Sequence, residues 1–118
     1  AITIGFLSTA VLNLNNMRDR ISDAKVNKIT IPVLLGEKKS KKYHAFLLSG
    51  AYTAAFFYCY ISASAWWQFL PLIAFLPLLK HYGVVMVNRN PAALDSELKK
   101  VALSTFLFAV LFFAVAVF

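Results

Sequence analysis

Charge is scarce in this chain and cysteine almost absent. Only 14% of the 118 residues are charged, whereas an ordinary soluble domain carries about 25%. That shortage argues against a soluble globular domain. The single cysteine, Cys59, excludes a disulfide framework within the chain. Placed mid-run among apolar residues, it reads as packing. Neither an internal repeat nor a low-complexity tract is visible. Acidic residues are rarer still, five against twelve Lys and Arg, giving a net charge of +7. Such an excess could suit nucleic acid, but the basic residues are clustered. Eight lie in Arg18–Lys42 and four in Lys80–Lys100. No nucleic-acid partner is expected.

Apolar residues are what the chain has in plenty: 60% of the total, with a mean hydropathy of +0.68. Ala45–Ala65 runs 21 residues and Val101–Phe118 runs 18 without a charge. Ala65–Leu79 runs 15, and reaches spanning length only if it continues through Lys80 and His81 to Val87. A membrane span needs roughly 20 mostly apolar residues at 1.5 Å each. The pattern predicts an all-α, polytopic transmembrane bundle with helices near 1–16, 43–63, 66–87 and 96–118. Residues 1–14 show neither the basic lead nor the cleavage site of a signal peptide. They read as the second half of a helix that starts outside this sequence.

Counting spans places both basic clusters on one face, which the positive-inside rule assigns to the cytoplasm. The uncharged connection on the other face carries Trp66 and Trp67, as an interfacial aromatic belt does. Gly50 and Ala54 offer a small-residue packing face on the second helix. Pro71 and Pro77 should bend the third, and Asn90-Pro91 should break the chain before the fourth. Lys38, Lys39, Lys41 and Lys42 would meet anionic headgroups, at about 1 kcal/mol each near the surface. Lys80 would snorkel. His44 and His81 read as interfacial, and Tyr52, Tyr58 and Tyr60 as packing or belt residues.

The chemistry-bearing stretch is 12–36, LNLNNMRDRISDAKVNKITIPVLLG. Asp19 and Asp23 lie four apart and share a helical face with Asn15, although like charges there repel. Asn16 completes N-x-x-D-x-x-x-D. Two readings are open on spacing alone. One is a solvated helix end with surface ion pairs. The other is a Mg²⁺-diphosphate site, since Mg²⁺ takes one or two carboxylates and fills its octahedron with water and substrate phosphates. Arg18, Lys25 and Lys28 would then balance the phosphate charge.

The longer string Asn15, Asn16, Arg18, Asp19, Asp23, Lys28, Thr30 and Gly36 resembles the second aspartate-rich motif of the UbiA superfamily of intramembrane aromatic prenyltransferases. It is most similar to the branch that acts on 1,4-dihydroxy-2-naphthoate in menaquinone synthesis. The stretch from Asn90-Pro91 through Leu94-Asp95, Leu98-Lys99 and Leu103-Ser104-Thr105 resembles the region before that family's last helix. The resemblance implies the last four helices of a nine-helix fold, in a bacterial inner membrane, forming the C-terminal part of a single prenyltransferase domain. It implies Asp19 and Asp23 as catalytic Mg²⁺ ligands, Arg18 and Lys28 as diphosphate contacts, and Asn15 and Asn16 as residues that orient the site. The implied partners are a polyprenyl diphosphate, dihydroxynaphthoate, the lipid bilayer and the missing N-terminal half, without which the chain would be inactive. Arg89 is a further candidate phosphate contact. Two departures stand out. Asn27 replaces the family's Gly before the Lys, although Asn also tolerates positive φ. The family's first aspartate-rich motif is not in the sequence. Two alternatives remain: a prenyltransferase for another aromatic acceptor such as 4-hydroxybenzoate, or a non-catalytic, lipid-binding membrane subunit.

Overall fold

A computed structural model describes residues 2–62, 64–88 and 93–117. Five α-helices and one 3₁₀ helix account for nearly all of them, and none of the described residues forms a strand. The helices are α1 (Ile2–Arg18), α2 (Arg20–Lys25), α3 (Ile31–Ser62), α4 (Leu76–Val87) and α5 (Leu94–Val117), with the 3₁₀ helix at Trp66–Phe75 before α4. Among the described residues three stretches are long and apolar enough to cross a membrane: Ile31–Ser62, Trp66–Val87 and Leu94–Val117. Large apolar side chains such as Phe57, Ile61, Leu103, Phe106 and Phe113 lie exposed on the outside of the bundle. Such a surface suits lipid better than water.

The core is built from stripes spaced three and four residues apart. Helix α1 turns Leu7, Ala10, Leu14 and Met17 inward, and α5 turns Leu94, Glu97, Val101, Ser104 and Phe108. On α3 the stripe is His44, Leu47, Leu48, Ala51, Ala55 and Cys59; on α4 it is Leu78, His81 and Val85. This is the seam spacing of packed helices. Helix α1 packs on both α3 and α5. Helix α1 approaches α3 tightly at Gly50, where an added Cβ would stand 2.9 Å from the Phe6 ring. The small-residue reading of Gly50 thus has a physical basis.

Several predicted boundaries shift. The region 17–42 is mostly helical rather than a loop: α1 runs to Arg18, α2 follows, and α3 begins at Ile31 rather than 43. Gly36, at φ 80° and ψ 178°, is not helical and divides α3 into two helical stretches that meet at a kink. Beyond that kink Ser40 Oγ donates to the Gly36 carbonyl. The third span is not one bent α-helix. Pro71 sits within the 3₁₀ segment, and Pro77 falls in the first turn of α4, where the missing N–H is not needed. Gln68 starts the 3₁₀ helix, its Oε1 accepting from the Ser64 and Ala65 N–H groups. Helix α4 passes through Lys80 to Val87, as the hydropathy required. The Asn90-Pro91 break and Arg89 lie outside the described residues.

Candidate functional site at the charged end of the bundle

The aspartate-rich segment folds as two helices meeting at one residue. Asp19, at φ −94° and ψ 7°, separates α1 from α2. The hydrogen-bond ladder barely falters there: Asp19 N–H donates to the Asn15 carbonyl at 3.2 Å, and Asp23 N–H to the Asp19 carbonyl at 2.8 Å. Helix α2 then closes on Asn27, at φ 59°, which lets Lys28 N–H reach back to the Asp23 carbonyl at 2.9 Å. Asn tolerates this left-handed turn, the backbone device that Gly would otherwise supply.

Arg18 organises the first half of the site. Its Nε donates to Asp19 Oδ1 at 3.0 Å, with a longer 3.3 Å contact from a terminal nitrogen to Oδ2. That same terminal nitrogen donates to Asn15 Oδ1 at 2.7 Å, and the other to Asp95 Oδ1 at 2.6 Å. The hydrogen bonds to Asp19 and then Asp95 hold the guanidinium above its ordinary, already high, pKa. Arg18 is therefore bound to side chains of the protein on three sides. Asp95, at the N-terminus of α5 and 77 residues away, joins the site without any local signal in the sequence.

Asp23 forms the second half. It is buried, and its Oδ1 lies 3.9 Å from Lys28 Nζ, an ion pair too long for a hydrogen bond. Its Oδ2 is buried with no hydrogen-bond partner, as is Thr30 Oγ1 seven residues later. A buried carboxylate oxygen without a donor is costly, and a hard cation is one group that would satisfy it. Asn16 lies half-buried on the turn before Asp19. Among the described residues no three His, Cys, Asp or Glu side chains converge as a complete metal cage. Asp19 and Asp23 could supply the one or two carboxylates that Mg²⁺ takes alongside substrate phosphates.

Two lysine assignments separate. Lys38, Lys39, Lys42 and Lys80 are exposed, as headgroup contacts or snorkelling chains would be. Lys41 instead pairs with Glu37 at 3.3 Å and donates to the Asn88 carbonyl, tying α3 to the end of α4.

Two histidines that looked interfacial are core residues. His44 is 1% exposed, His81 0% and Glu97 3%. His44 Nε2 and His81 Nε2 are 2.8 Å apart, His81 Nδ1 is 2.7 Å from Glu97 Oε2, and Lys100 Nζ closes the row 2.8 Å from Glu97 Oε1. The signal that could have found them is their place in the inward stripes of α3, α4 and α5. Beside the histidines, α3, the 3₁₀ helix and α4 frame an apolar groove of about 840 Å³, lined among others by Ala45, Leu48, Tyr52, Leu72, Leu78 and Tyr82.

Comparison with known proteins agrees with the motif. The chain is 37% identical over 112 residues to the 1,4-dihydroxy-2-naphthoate octaprenyltransferase of Haemophilus influenzae, and 37% over 112 residues to that of Escherichia coli. It is 30% identical over 109 residues to that of Mycobacterium tuberculosis. These matches cover 95%, 95% and 92% of this chain but 36% of each relative, so the chain spans about a third of their length. No solved structure matches it. The model of the UbiA prenyltransferase family matches residues 1–108. With that match over most of its length, and its aspartate-rich segment folded at the charged end of a helical bundle, the chain belongs to the UbiA prenyltransferase family.

Proposed function

We propose that this chain is the C-terminal part of an Mg²⁺-dependent polyprenyltransferase that alkylates 1,4-dihydroxy-2-naphthoate, with its charged end facing the cytoplasm of a bacterial cell and its apolar flanks in the inner membrane. The observation that carries the reading is the buried, donor-free Oδ2 of Asp23 beside the Arg18–Asp19 cluster. A bound Mg²⁺ would neutralise charge that builds on the departing diphosphate. Asp19 and Asp23 would hold the ion, Asn15 and Asn16 would orient the site, and Lys28 would meet a phosphate oxygen. Arg18 can serve the diphosphate only by exchanging a carboxylate for it, and its pair with Asp95 would keep it at the site meanwhile. The names of the relatives favour the naphthoate acceptor over 4-hydroxybenzoate. The other half of the metal cage would come from sequence outside this chain, and the chain alone would be inactive.

The test is Mg²⁺-dependent transfer of radiolabelled prenyl groups by the full-length protein in membranes, with each acceptor in turn. Transfer to dihydroxynaphthoate, lost in Asp19→Ala and Asp23→Ala, is the expected result. Near-normal turnover in both variants would leave the aspartates a surface feature. Transfer only to 4-hydroxybenzoate would keep the motif's role and replace the acceptor.

A further inference from the structure

Between Ile21 and Ile31 the chain is turned inside out. Ile21, Val26, Ile29 and Ile31 are exposed, while the residues of the stretch drawn inward are both polar, Asp23 and Thr30. A segment folded for apolar burial alone would do the opposite. Each inward side chain also leaves an oxygen bare: Asp23 Oδ2 and Thr30 Oγ1 are buried with no hydrogen-bond partner. Buried polar atoms are normally paired, so two such oxygens on one turn call for a shared partner. Asp23 is part of the site described above. Thr30 belongs to the same motif string, yet none of the roles given there uses it.

Thr30 does not make the bond that a threonine in its position usually makes. Its carbonyl accepts from Leu34 N–H at 3.1 Å, which places it at the cap of α3. A capping threonine turns its hydroxyl to the N–H two or three residues on. Two residues on is Pro32, which has no N–H, and Oγ1 is not bonded to Val33 N–H either. The hydroxyl is thus not committed to the helix. The backbone meanwhile returns it toward Asp23. Asn27, at φ 59°, reverses the chain so that Lys28 N–H reaches the Asp23 carbonyl at 2.9 Å. Thr30 follows two residues later, within about 7 Å of chain, and α2 packs on α3 across the turn. Lys28 Nζ lies 3.9 Å from Asp23 Oδ1, which leaves Oδ2 for another partner.

We propose that Thr30 is a positioning residue for the metal: its hydroxyl oxygen accepts a hydrogen bond from a water carried by the Mg²⁺ that Asp23 Oδ2 would hold. This rests on the metal-diphosphate reading of the site. The two oxygens differ in the way such a pair requires. Asp23 Oδ2 is a hard anionic ligand, and Mg²⁺ held by one or two carboxylates keeps several of its waters. Those waters are strong donors and need acceptors. A threonine hydroxyl supplies one without adding charge, which leaves the ion's positive charge for the diphosphate. That the two oxygens do not bond each other belongs to the same argument. A hydroxyl within reach of Oδ2 would donate to it in a charge-assisted bond and compete with the ion. Thr30 instead fixes the water, and through it the ion, on the inner side of the turn.

The experiment compares Thr30→Val, which keeps the shape and removes the hydroxyl, with Thr30→Ser, which keeps the hydroxyl and removes the methyl. Full-length protein in detergent is melted over a Mg²⁺ series with inorganic diphosphate present, and prenyl transfer is followed over the same series. Without Mg²⁺, Thr30→Val should melt no lower than the parent, because a buried unpaired hydroxyl is removed and no cap bond is lost. Losing an outer partner of a bound metal costs about 10–100-fold in affinity. The Mg²⁺ concentration that half-saturates the melting shift should rise by that factor in Thr30→Val, and the concentration for half-maximal transfer with it. Turnover at saturating Mg²⁺ should stay near that of the parent, and Thr30→Ser should restore the parent's Mg²⁺ dependence. A Thr30→Val protein with the parent's Mg²⁺ dependence overturns the proposal. So does a Thr30→Ser protein that behaves as Thr30→Val, since the methyl and not the hydroxyl would then matter. If Thr30→Val does not fold, Thr30→Ala set against Thr30→Ser decides by the same criterion. Parent protein that neither melts higher nor transfers when Mg²⁺ is added overturns the metal-diphosphate reading, and this proposal with it. A parent response that Thr30→Val leaves unchanged removes this proposal alone.

Discussion

The charged end of the bundle holds two polar networks that both reach α5 but are built in opposite ways. In the first, Arg18 bridges Asn15, Asp19 and Asp95 with side chains 30%, 37% and 63% exposed for Arg18, Asp19 and Asp95. In the second, His81 and Glu97 meet at 2.7 Å with side chains 0% and 4% exposed. Water screens the first pair, so its contacts are exchangeable at small cost. The second cannot exchange partners, since an unpaired charge or a lone polar atom in that interior is expensive. Exposed contacts can change partners when a ligand arrives, whereas an enclosed row fixes the helices that carry it. The first network is built for exchange and the second for holding α3, α4 and α5 together. Asp23 belongs to the first by sequence but to the second by burial, and its donor-free oxygen is where that mismatch shows.

Asp23 gives the largest expected effect. Asp23→Ala in the full-length protein should cut Mg²⁺-dependent transfer by at least 10²–10³, the scale of one lost oxyanion contact. Its thermal stability without substrate should stay level or rise, because a buried oxygen without a donor is removed. Radiolabel transfer and melting in detergent, measured on one preparation, check both halves. A fall in activity and stability together would make Asp23 a structural residue and blur the two networks into one.

Glu97→Ala should do the reverse to stability. Removing one partner of a buried pair typically costs about 3–5 kcal/mol, here leaving the His81 N–H without an acceptor. The expected sign is a clear drop in melting temperature in detergent, with Ala at the neighbouring exposed Lys99 as the control. An unchanged melting temperature would mean that water reaches Glu97, and the contrast between the networks would fail.

Gly36→Ala comes next. Its φ of 80° and ψ of 178° lie in a region open essentially to Gly alone, and nothing lies within 4 Å of an added Cβ. The penalty is therefore backbone strain alone, on the order of 1–3 kcal/mol. Thermal melting again reads it. Because the kink lies between the aspartate segment and His44, transfer should weaken more than packing alone would explain. A silent Gly36→Ala would show that the two networks do not depend on the bend between them.

Much of the fold could be read from local pattern. Charge-free runs located the spans, and the hydropathy of 66–87 required the helix to pass Lys80. Asn27 kept the left-handed turn that its residue type permits. What could not be read had physical causes. The Arg18–Asp95 contact joins residues 77 apart, and no periodicity encodes it. His44, His81 and Glu97 occupy inward stripes, but in a lipid-facing helix the outward positions are apolar too, so the stripe hardly contrasts with its surroundings. Near the basic clusters, where charge is common, His44 and His81 read as ordinary interfacial residues. Helix α3 reaches back twelve residues before 43 because Lys38, Lys39, Lys41 and Lys42 lie in helix beyond the Gly36 kink, and a helix above the hydrocarbon tolerates lysines as readily as a loop does.

Asp95→Asn should have the smallest effect on stability, and it tests the comparison most directly. Asn keeps the shape and one acceptor for Arg18 but loses the charge. Asp95 is the more exposed partner, and Arg18 would retain Asp19 and Asn15, so melting should barely change and should do so less at high salt. Function should respond more than stability. With only Asp19 left to neutralise it, the guanidinium should release that carboxylate less readily to an incoming metal-diphosphate. The Mg²⁺ concentration needed for half-maximal transfer should rise, with turnover at saturating Mg²⁺ close to that of the parent. If Asp95→Asn instead melts as early as Glu97→Ala, the Arg18 bridge is a structural clamp between α1 and α5. The exchangeable character assigned to the exposed network would then be wrong.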